Sequence, residues 1–574
     1  MSKPAEEIPG ATTVVGRPTR LRLRPWQSQA LGKLAATSGR DFLAVATPGA
    51  GKTTFALAAV VQHLLDHPGT RVVVVAPTQH LKTQWATAAS QVGLHLDHLW
   101  SPAEGSLPSD MHGIVTTYAQ VAQSSRLLAP LAEAAFVVLD EIHHAGDDRS
   151  WGSAVLEAFD GAAFRLSLSG TPFRSDDAEI PFVDYHLDEA RPDFEYGYGD
   201  ALSDRGVVRP VYFPRTGGFM EWIAPDGETF AATFADELNH ERANQRLRTA
   251  LSLEGQWLPT VLSDADGRLS DLRRDHPDAA GLVIAGDVEH ARAIGGHLER
   301  LHPGSVTVAT SDDPEASGRI AEFARGAGRW IVAVRMVSEG VDIPRLRIAV
   351  FATTTTTELF FRQAVGRVVR WTRGLGRQPA YVFLPDDERL VRHADSIAQS
   401  RRHSLKRRAE REEVRQQMDD EPAIDDDSEQ LSMFSVIGSV AMGSTGDDPD
   451  NLGVWGDDPD DLGEMANRPD REPNGVDLLL LPPPLPSGRS GGATHRGNND
   501  SDGDQPRVSL REQKARMRAA NADLAMELVR ATGWGHAQVN RELNRLAGIE
   551  RIGNATLAQL EARHTAGRKW LNRS

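Results

Sequence analysis

The stretch Ala46-Thr47-Pro48-Gly49-Ala50-Gly51-Lys52-Thr53-Thr54 constrains this chain more than any other. It follows a short apolar run, Phe42–Val45, that reads as a buried strand, and it precedes Phe55–Val61, a run of helix formers without a breaker. Strand, glycine-rich turn and helix is the context a phosphate-binding loop needs. Small residues let the backbone curl until successive N–H groups point at phosphate oxygens, and the helix N-terminus adds the positive end of its dipole. In such a loop Lys52 reaches the β- and γ-phosphates of a nucleotide, and the Thr53 hydroxyl sits on Mg2+. The stretch departs from G-x-x-x-x-G-K-[ST] only at Ala46, the smallest replacement for glycine, so a slightly different turn is expected and not a lost site. The competing reading is an ordinary Gly-rich turn, and other parts of the chain have to remove it.

At 574 residues the chain has room for more than one domain, and 40% hydrophobic with 25% charged residues is an ordinary globular composition. The absence of cysteine excludes disulfides, thiolate zinc sites and Cys-ligated iron–sulfur clusters. No run approaches a membrane span and Met1–Glu7 lacks the apolar core of a signal peptide, so the expected location is cytoplasmic, with no membrane partner. The net charge of −17 is unevenly spread. Residues 418–505 carry 21 Asp+Glu against 4 Arg, whereas 506–574 carry 13 Lys+Arg against 6 Asp+Glu. The acidity therefore belongs to one segment and does not argue against nucleic acid elsewhere.

Short β-branched runs alternate with helical stretches from Arg71 to Ile180 (Val72–Val75, Gly113–Thr116, Phe136–Leu139, Arg165–Leu168) and again from Gly281 to Leu384. Alternation of this kind predicts parallel sheets covered by helices on both faces, with functional turns at the carboxyl ends of the strands. The predicted organisation is a flexible leader (1–20), a first α/β domain (21–180), a connector subdomain (181–264), a second α/β domain (265–395), a charged helix (396–417), a disordered acidic linker (418–506) and a small, basic, all-helical domain (507–574). Within these, Asp193–Gly199 reads as a loop, Val207–Phe213 as a strand, Ala231–Leu253 as a helix, and Asn554 as the N-cap of a last helix over Ala555–Trp570.

Val137-Val138-Leu139-Asp140-Glu141-Ile142-His143 places two carboxylates directly after an apolar strand. An Asp there suits a Mg2+ ligand and the adjacent Glu suits orientation and deprotonation of an attacking water. Together with the phosphate loop, Asp140-Glu141-Ile142-His143 resembles the DExH box of superfamily 2 helicases and translocases, and further motifs of that family come in its order. Gln27, after Arg24-Pro25-Trp26, resembles the glutamine that reads adenine. Pro77–Trp85, beginning Pro77-Thr78, resembles motif Ia, Thr116-Thr117-Tyr118 motif Ib and Ser169–Pro172 motif III. Ser338–Pro344, with Gly340 and Asp342, resembles motif V, and Gln363–Arg370 resembles Q-x-x-G-R-x-x-R. The Pro77–Trp85 and Gln363–Arg370 forms are similar to the helicase part of type III restriction enzymes.

The resemblance implies two tandem RecA-like domains that clamp ATP and Mg2+ between them. It implies catalytic roles for Lys52, Asp140, Glu141, Gln363, Arg367 and Arg370, with Thr53 and Asp140 on the metal. Nucleotide contacts fall to Arg24, Gln27, Thr47, Pro48, Gly49, Ala50, Gly51, Lys52, Thr53, Thr54, Gly340 and Asp342, and nucleic-acid contacts to Pro77, Thr78, Thr116, Thr117 and Arg335. The implied activity is ATP-driven movement on, or unwinding of, DNA. An RNA helicase, or a nucleotide-switched assembly factor working with a partner nuclease, remains as an alternative. The basic residues of 507–574 suit nucleic-acid phosphates and a protein partner equally.

Overall fold

The computed structural model describes residues 19–101, 107–146, 149–170, 180–186, 189–204, 206–224, 228–310, 312–313, 315–334, 343–376, 378–419, 476–485, 510–550 and 552–572. The expected leader (1–18), most of the acidic linker (420–475 and 486–509), Thr171 and Pro172, and the motif V residues with Arg335, Gly340 and Asp342 lie outside them. The chain forms two compact units. One is Met1–Tyr196 together with Pro473–Ser574, and the other is Gly197–Glu472.

The first unit opens with β1 (Thr19–Leu23) and α1 (Pro25–Ala35), then β2 (Asp41–Ala46), α2 (Lys52–Asp66), β3 (Val72–Ala76) and α3 (Gln79–Gln91). It continues through β4 (Leu96–Asp97), β5 (Gly113–Thr117), α4 (Tyr118–Ala132), β6 (Phe136–Leu139), α5 (Arg149–Phe159), β7 (Phe164–Ser169), a short hairpin of β8 (Tyr185–His186) and β9 (Glu189–Ala190), and β10 (Phe194–Tyr196). Its seven-stranded sheet runs β10-β2-β7-β6-β3-β5-β4 with every pair parallel. Helices on both faces explain why Val72–Val75 form an unbroken buried run where a half-solvated strand would alternate.

The second unit contains α6 (Tyr198–Ser203), β11 (Val211–Tyr212), β12 (Arg215–Thr216), a hairpin of β13 (Phe219–Ile223) and β14 (Thr229–Thr233), α7 (His240–Ala250) and α8 (Trp257–Asp275). Then come β15 (Ala280–Ala285), α9 (Val288–Leu301), β16 (Val306–Ala309), α10 (Ala316–Arg325), β17 (Trp330–Ala333), β18 (Leu346–Ala352), α11 (Glu358–Val368), β19 (Ala380–Pro385) and α12 (Glu388–Asp419). Its parallel sheet is ordered β11-β19-β18-β15-β17-β16, with β12 also on β19. Both units are thus RecA-like α/β folds in tandem.

Several expectations change. Phe194–Tyr196 is not loop but the edge strand of the first sheet, and Val211–Tyr212 and Arg215–Thr216 add to the second, so the expected connector contributes strands to both large sheets. The helix expected over Ala231–Leu253 starts only at His240, capped by Asn239, because Ala231–Thr233 pair with Phe219–Glu221. Three carboxyl-terminal helices form as expected: α13 (Leu510–Thr532), α14 (His536–Leu546) and α15 (Leu557–Leu571). The cap of α15 is Thr556 and not Asn554, since Gln559 three residues on completes a capping box for Thr556. Inside the expected linker, Val476–Leu480 is a strand, β20, paired antiparallel with β1 from Thr19↔Leu480 to Leu23↔Val476. Thr19 and Arg20 therefore belong to a strand and not to a leader.

The carboxyl-terminal segment is built onto the first unit. Asp110 Oδ1 accepts from the buried Lys514 ammonium at 2.9 Å, and Oδ2 accepts the Leu557 N–H at the start of α15 at 2.8 Å. His112 is buried, takes the His95 N–H on Nδ1 at 2.9 Å, and meets the Pro483 carbonyl with Nε2 at 3.3 Å. The first bond fixes the neutral Nε2–H tautomer. Burial, with His95 and Arg71 nearby and despite Asp110, holds its pKa down at about 4. An unfolded histidine takes up its proton near 6.5, so this site weakens the fold as pH falls from about 6.5 to about 4. The loss should reach roughly 3 kcal/mol at most. A His112→Gln chain should show a flatter pH dependence of its urea midpoint over that interval, and equal slopes for the two chains would contradict this.

Candidate functional site

The loop between β2 and α2 turns on two glycines with left-handed backbones, Gly49 at φ 82° and Gly51 at φ 93°. Three side chains from one short segment hold three successive loop carbonyls. Arg24 donates to Gly49 O at 2.9 Å, the Trp26 indole to Ala50 O at 3.1 Å, and Gln27 Nε2 to Gly51 O at 2.8 Å. Gln27 Oε1 in turn accepts the Arg24 N–H at 2.7 Å, and Trp26 stacks on Tyr196 of the edge strand with ring centroids 5.2 Å apart. Each of these carbonyls is thereby committed to a protein donor and withheld from an anion, which it would repel. A side chain at Gly51 would bring a Cβ to 2.8 Å from Gln27 Nε2, so both backbone angle and space require glycine.

Lys52 opens α2 and carries the site's charge. Its ammonium lies 2.9 Å from Glu141 Oε1 and donates to Ala46 O at 3.3 Å. Glu141, which has a strained φ of 48°, accepts the Gly170 N–H on Oε2 at 2.8 Å, with His143 Nδ1 at 3.7 Å. Gly170 gives Lys52 its room, since a Cβ there would lie 3.1 Å from Nζ. His143 also meets Ser169 Oγ at 3.3 Å, so the carboxylate turn and the end of β7 are joined. Burial opposes the charge on Glu141, but the Lys52 ammonium and His143 outweigh it and hold this carboxyl below its ordinary range. Burial and the neighbouring Glu141 push Asp140 up.

Asp140 is placed by two aromatic donors. Trp85 Nε1 donates to its Oδ2 at 2.8 Å, and Tyr118 OH donates to its backbone carbonyl at 3.0 Å. Thr53, Thr54 and Asp140 line one cavity of about 310 Å³, whose other walls come from α2, α3 and Leu21 of β1. Among the described residues no cluster of three or more His, Asp or Glu side chains is placed to hold a metal unaided. One hydroxyl and one carboxylate fit the habit of Mg2+, which keeps waters and takes further oxygens from phosphates.

The first unit thus brings Arg24, Gln27, Gly49, Gly51, Lys52, Glu141 and Gly170 into direct contact, with Thr53, Thr54 and Asp140 around the adjoining cavity. Thr47 N donates to Tyr196 O at 3.0 Å and Ala50 N to Thr47 O at 3.0 Å, while Pro48 lies near Gly170. In the second unit Gln363 and Arg367 share a half-exposed face of α11, and Arg370 bridges to Val208. Pro77 and Thr78 are half-exposed at the end of β3. Thr116 and Thr117, expected to meet nucleic acid, are both buried, and both hydroxyls lie on Gln120 Oε1, at 3.3 and 3.5 Å. Thr117 also caps α4. Trp26, Trp85 and Tyr118 lie within the motifs read from the sequence, but their bracing roles were not foreseen, although a buried tryptophan usually needs a partner for its N–H.

The family model described as "Type III restriction enzyme, res subunit" matches residues 20–174. The uncharacterized protein Rv2917 of Mycobacterium tuberculosis is 40% identical over 574 residues, 95% of this chain and 92% of that one. The chain belongs to one family with this mycobacterial protein, and its residues 20–174 are a domain of the type III restriction enzyme res-subunit kind. A Haloarcula marismortui protein, provisionally named DNA 3'-5' helicase Rad25, is 24% identical over 348 residues, 58% of this chain and 48% of its own. Among solved structures, the ATP-dependent type ISP restriction-modification enzyme LlaBIII bound to DNA aligns at a TM-score of 0.45 and 17% identity, over 67% of this chain and 30% of that one. A score that low carries no inference about activity.

Proposed function

We propose that this chain is an ATP-dependent DNA translocase or helicase that couples nucleotide hydrolysis to movement along a strand. The observation that carries the reading is the contact set Lys52–Glu141–Gly170 beside the shared cavity of Thr53 and Asp140. Lys52 leaves Glu141 for the phosphates when nucleotide enters. Freed of the ammonium, the Glu141 carboxylate becomes a stronger base and takes the proton of the attacking water. Thr53 and Asp140 hold Mg2+, which when bound offsets charge on the phosphoryl oxygens. Gln27 and Arg24 keep the loop carbonyls turned away, and Arg367 and Arg370 supply positive charge from the second unit as the units close. Pro77, Thr78 and Arg335 grip the strand, and Gly340 and Asp342 complete the second unit's share.

The helical domain fits a docking role better than a phosphate grip. Arg518 is taken up by Gly553 O, Arg545 by Glu542 and Arg568 by Glu527, and the buried Arg563 is held by Asn521, Asn540 and Asn544. Steady-state phosphate release should rise several-fold with single-stranded DNA and less with RNA of equal length. Stimulation by RNA alone would favour the RNA helicase, and stimulation by neither would leave the assembly factor.

A further inference from the structure

The β1–β20 ribbon pairs the first described strand with the last, and β1 pairs with no other strand among the described residues. Arg20 of β1 pairs with Asp477 of β20. Directly after β1 comes the segment that holds the phosphate loop, Arg24, Trp26 and Gln27. β1 also reaches the site by a second route, because Leu21 walls the cavity shared by Thr53 and Asp140, and Leu21 stands opposite Leu478 of β20. Through β1, two contacts therefore link β20 to the groups that would meet phosphate and metal.

The ribbon is built to open. Two strands alone are marginal in water. Only Leu23 and Leu480, one residue from each strand, are fully buried, while Val476 and Leu479 are half or more exposed. Segments with so little buried surface open far below the energy of global unfolding. The next stretch is anchored separately. Pro482 and Pro483 pack on Gly93, the Pro483 carbonyl meets His112, and Asp110 holds Lys514 and Leu557. A released β20 stays close to its seat, at the high effective concentration of a short tether.

We propose that β20 is a releasable strap: seated, it keeps β1 and the phosphate loop in binding geometry, and released, it lowers the loop's affinity for nucleotide. The proposal rests on the reading of that loop as a nucleotide site. Linkage then requires nucleotide to hold the strap down by the factor with which the strap raises affinity.

The test uses the full chain with Leu478→Pro and Leu479→Pro, adjacent positions whose N–H groups point to opposite sides of the strand so that one of them faces β1, and titrates a fluorescent ADP. Affinity should fall about tenfold with the unfolding midpoint little changed. An unchanged Kd would overturn the strap. If the variant does not fold, amide exchange in the unmodified chain decides. Residues 19–23 and 476–480 should exchange together and slow together with saturating ADP, and exchange indifferent to ADP would overturn the proposal. Should the unmodified chain bind no ADP, the nucleotide reading itself falls, which separates the two failures.

Discussion

Lys52→Ala should lower ATP hydrolysis by at least about a hundredfold while leaving the fold intact. The ammonium lies 2.9 Å from Glu141 and at the first turn of α2, the helix that in the proposed function would face the phosphates. Its loss removes a charge aimed at the γ-phosphate. It also removes the partner that holds the Glu141 carboxylate in place. The side chain contributes little to the core, and Phe55–Val61 keep α2 buried without it. Phosphate release, measured beside circular dichroism, checks both halves; native rates in this variant would contradict the role given to Lys52.

Arg367→Ala should separate binding from turnover. In the proposed function most nucleotide contacts fall to the first unit, so the Kd should move only a few-fold, while hydrolysis falls by about a thousandfold or more, as for a lost arginine finger. The substitution is structurally mild. α11 is anchored by Phe361, Ala364, Val365 and Val368, all buried, and position 367 is half-exposed. Equal losses of binding and turnover would instead mark Arg367 as a scaffold residue.

Much of this site was legible because its chemistry is local in sequence. Strand, Gly-x-Gly-Lys-Thr turn and helix lie within about thirty residues, and a strand buried on both faces writes itself as an unbroken run such as Val72–Val75. The braces were harder to read. Nothing near Trp26 or Trp85 says that their indoles end on Ala50 O and on Asp140, because those contacts close 24 and 55 residues away. The strap was hidden for the same reason. Val476–Leu480 looks like a stray apolar run in an acidic segment until its partner 457 residues earlier is known. The cap formed by Thr117 was not legible either, since a hydroxyl at a strand end serves a helix cap as readily as a phosphate. At α15 the choice of cap turned on Gln559, which reciprocates Thr556 and not Asn554.

The most direct measurement is single-turnover hydrolysis of saturating ATP by the full chain and by its Arg367→Ala variant, with single-stranded DNA present. If the two units act on one nucleotide, the variant retains bound ATP and releases phosphate at least about a thousandfold more slowly. Equal single-turnover rates would show that the first unit hydrolyses alone, and the two-unit motor would be wrong.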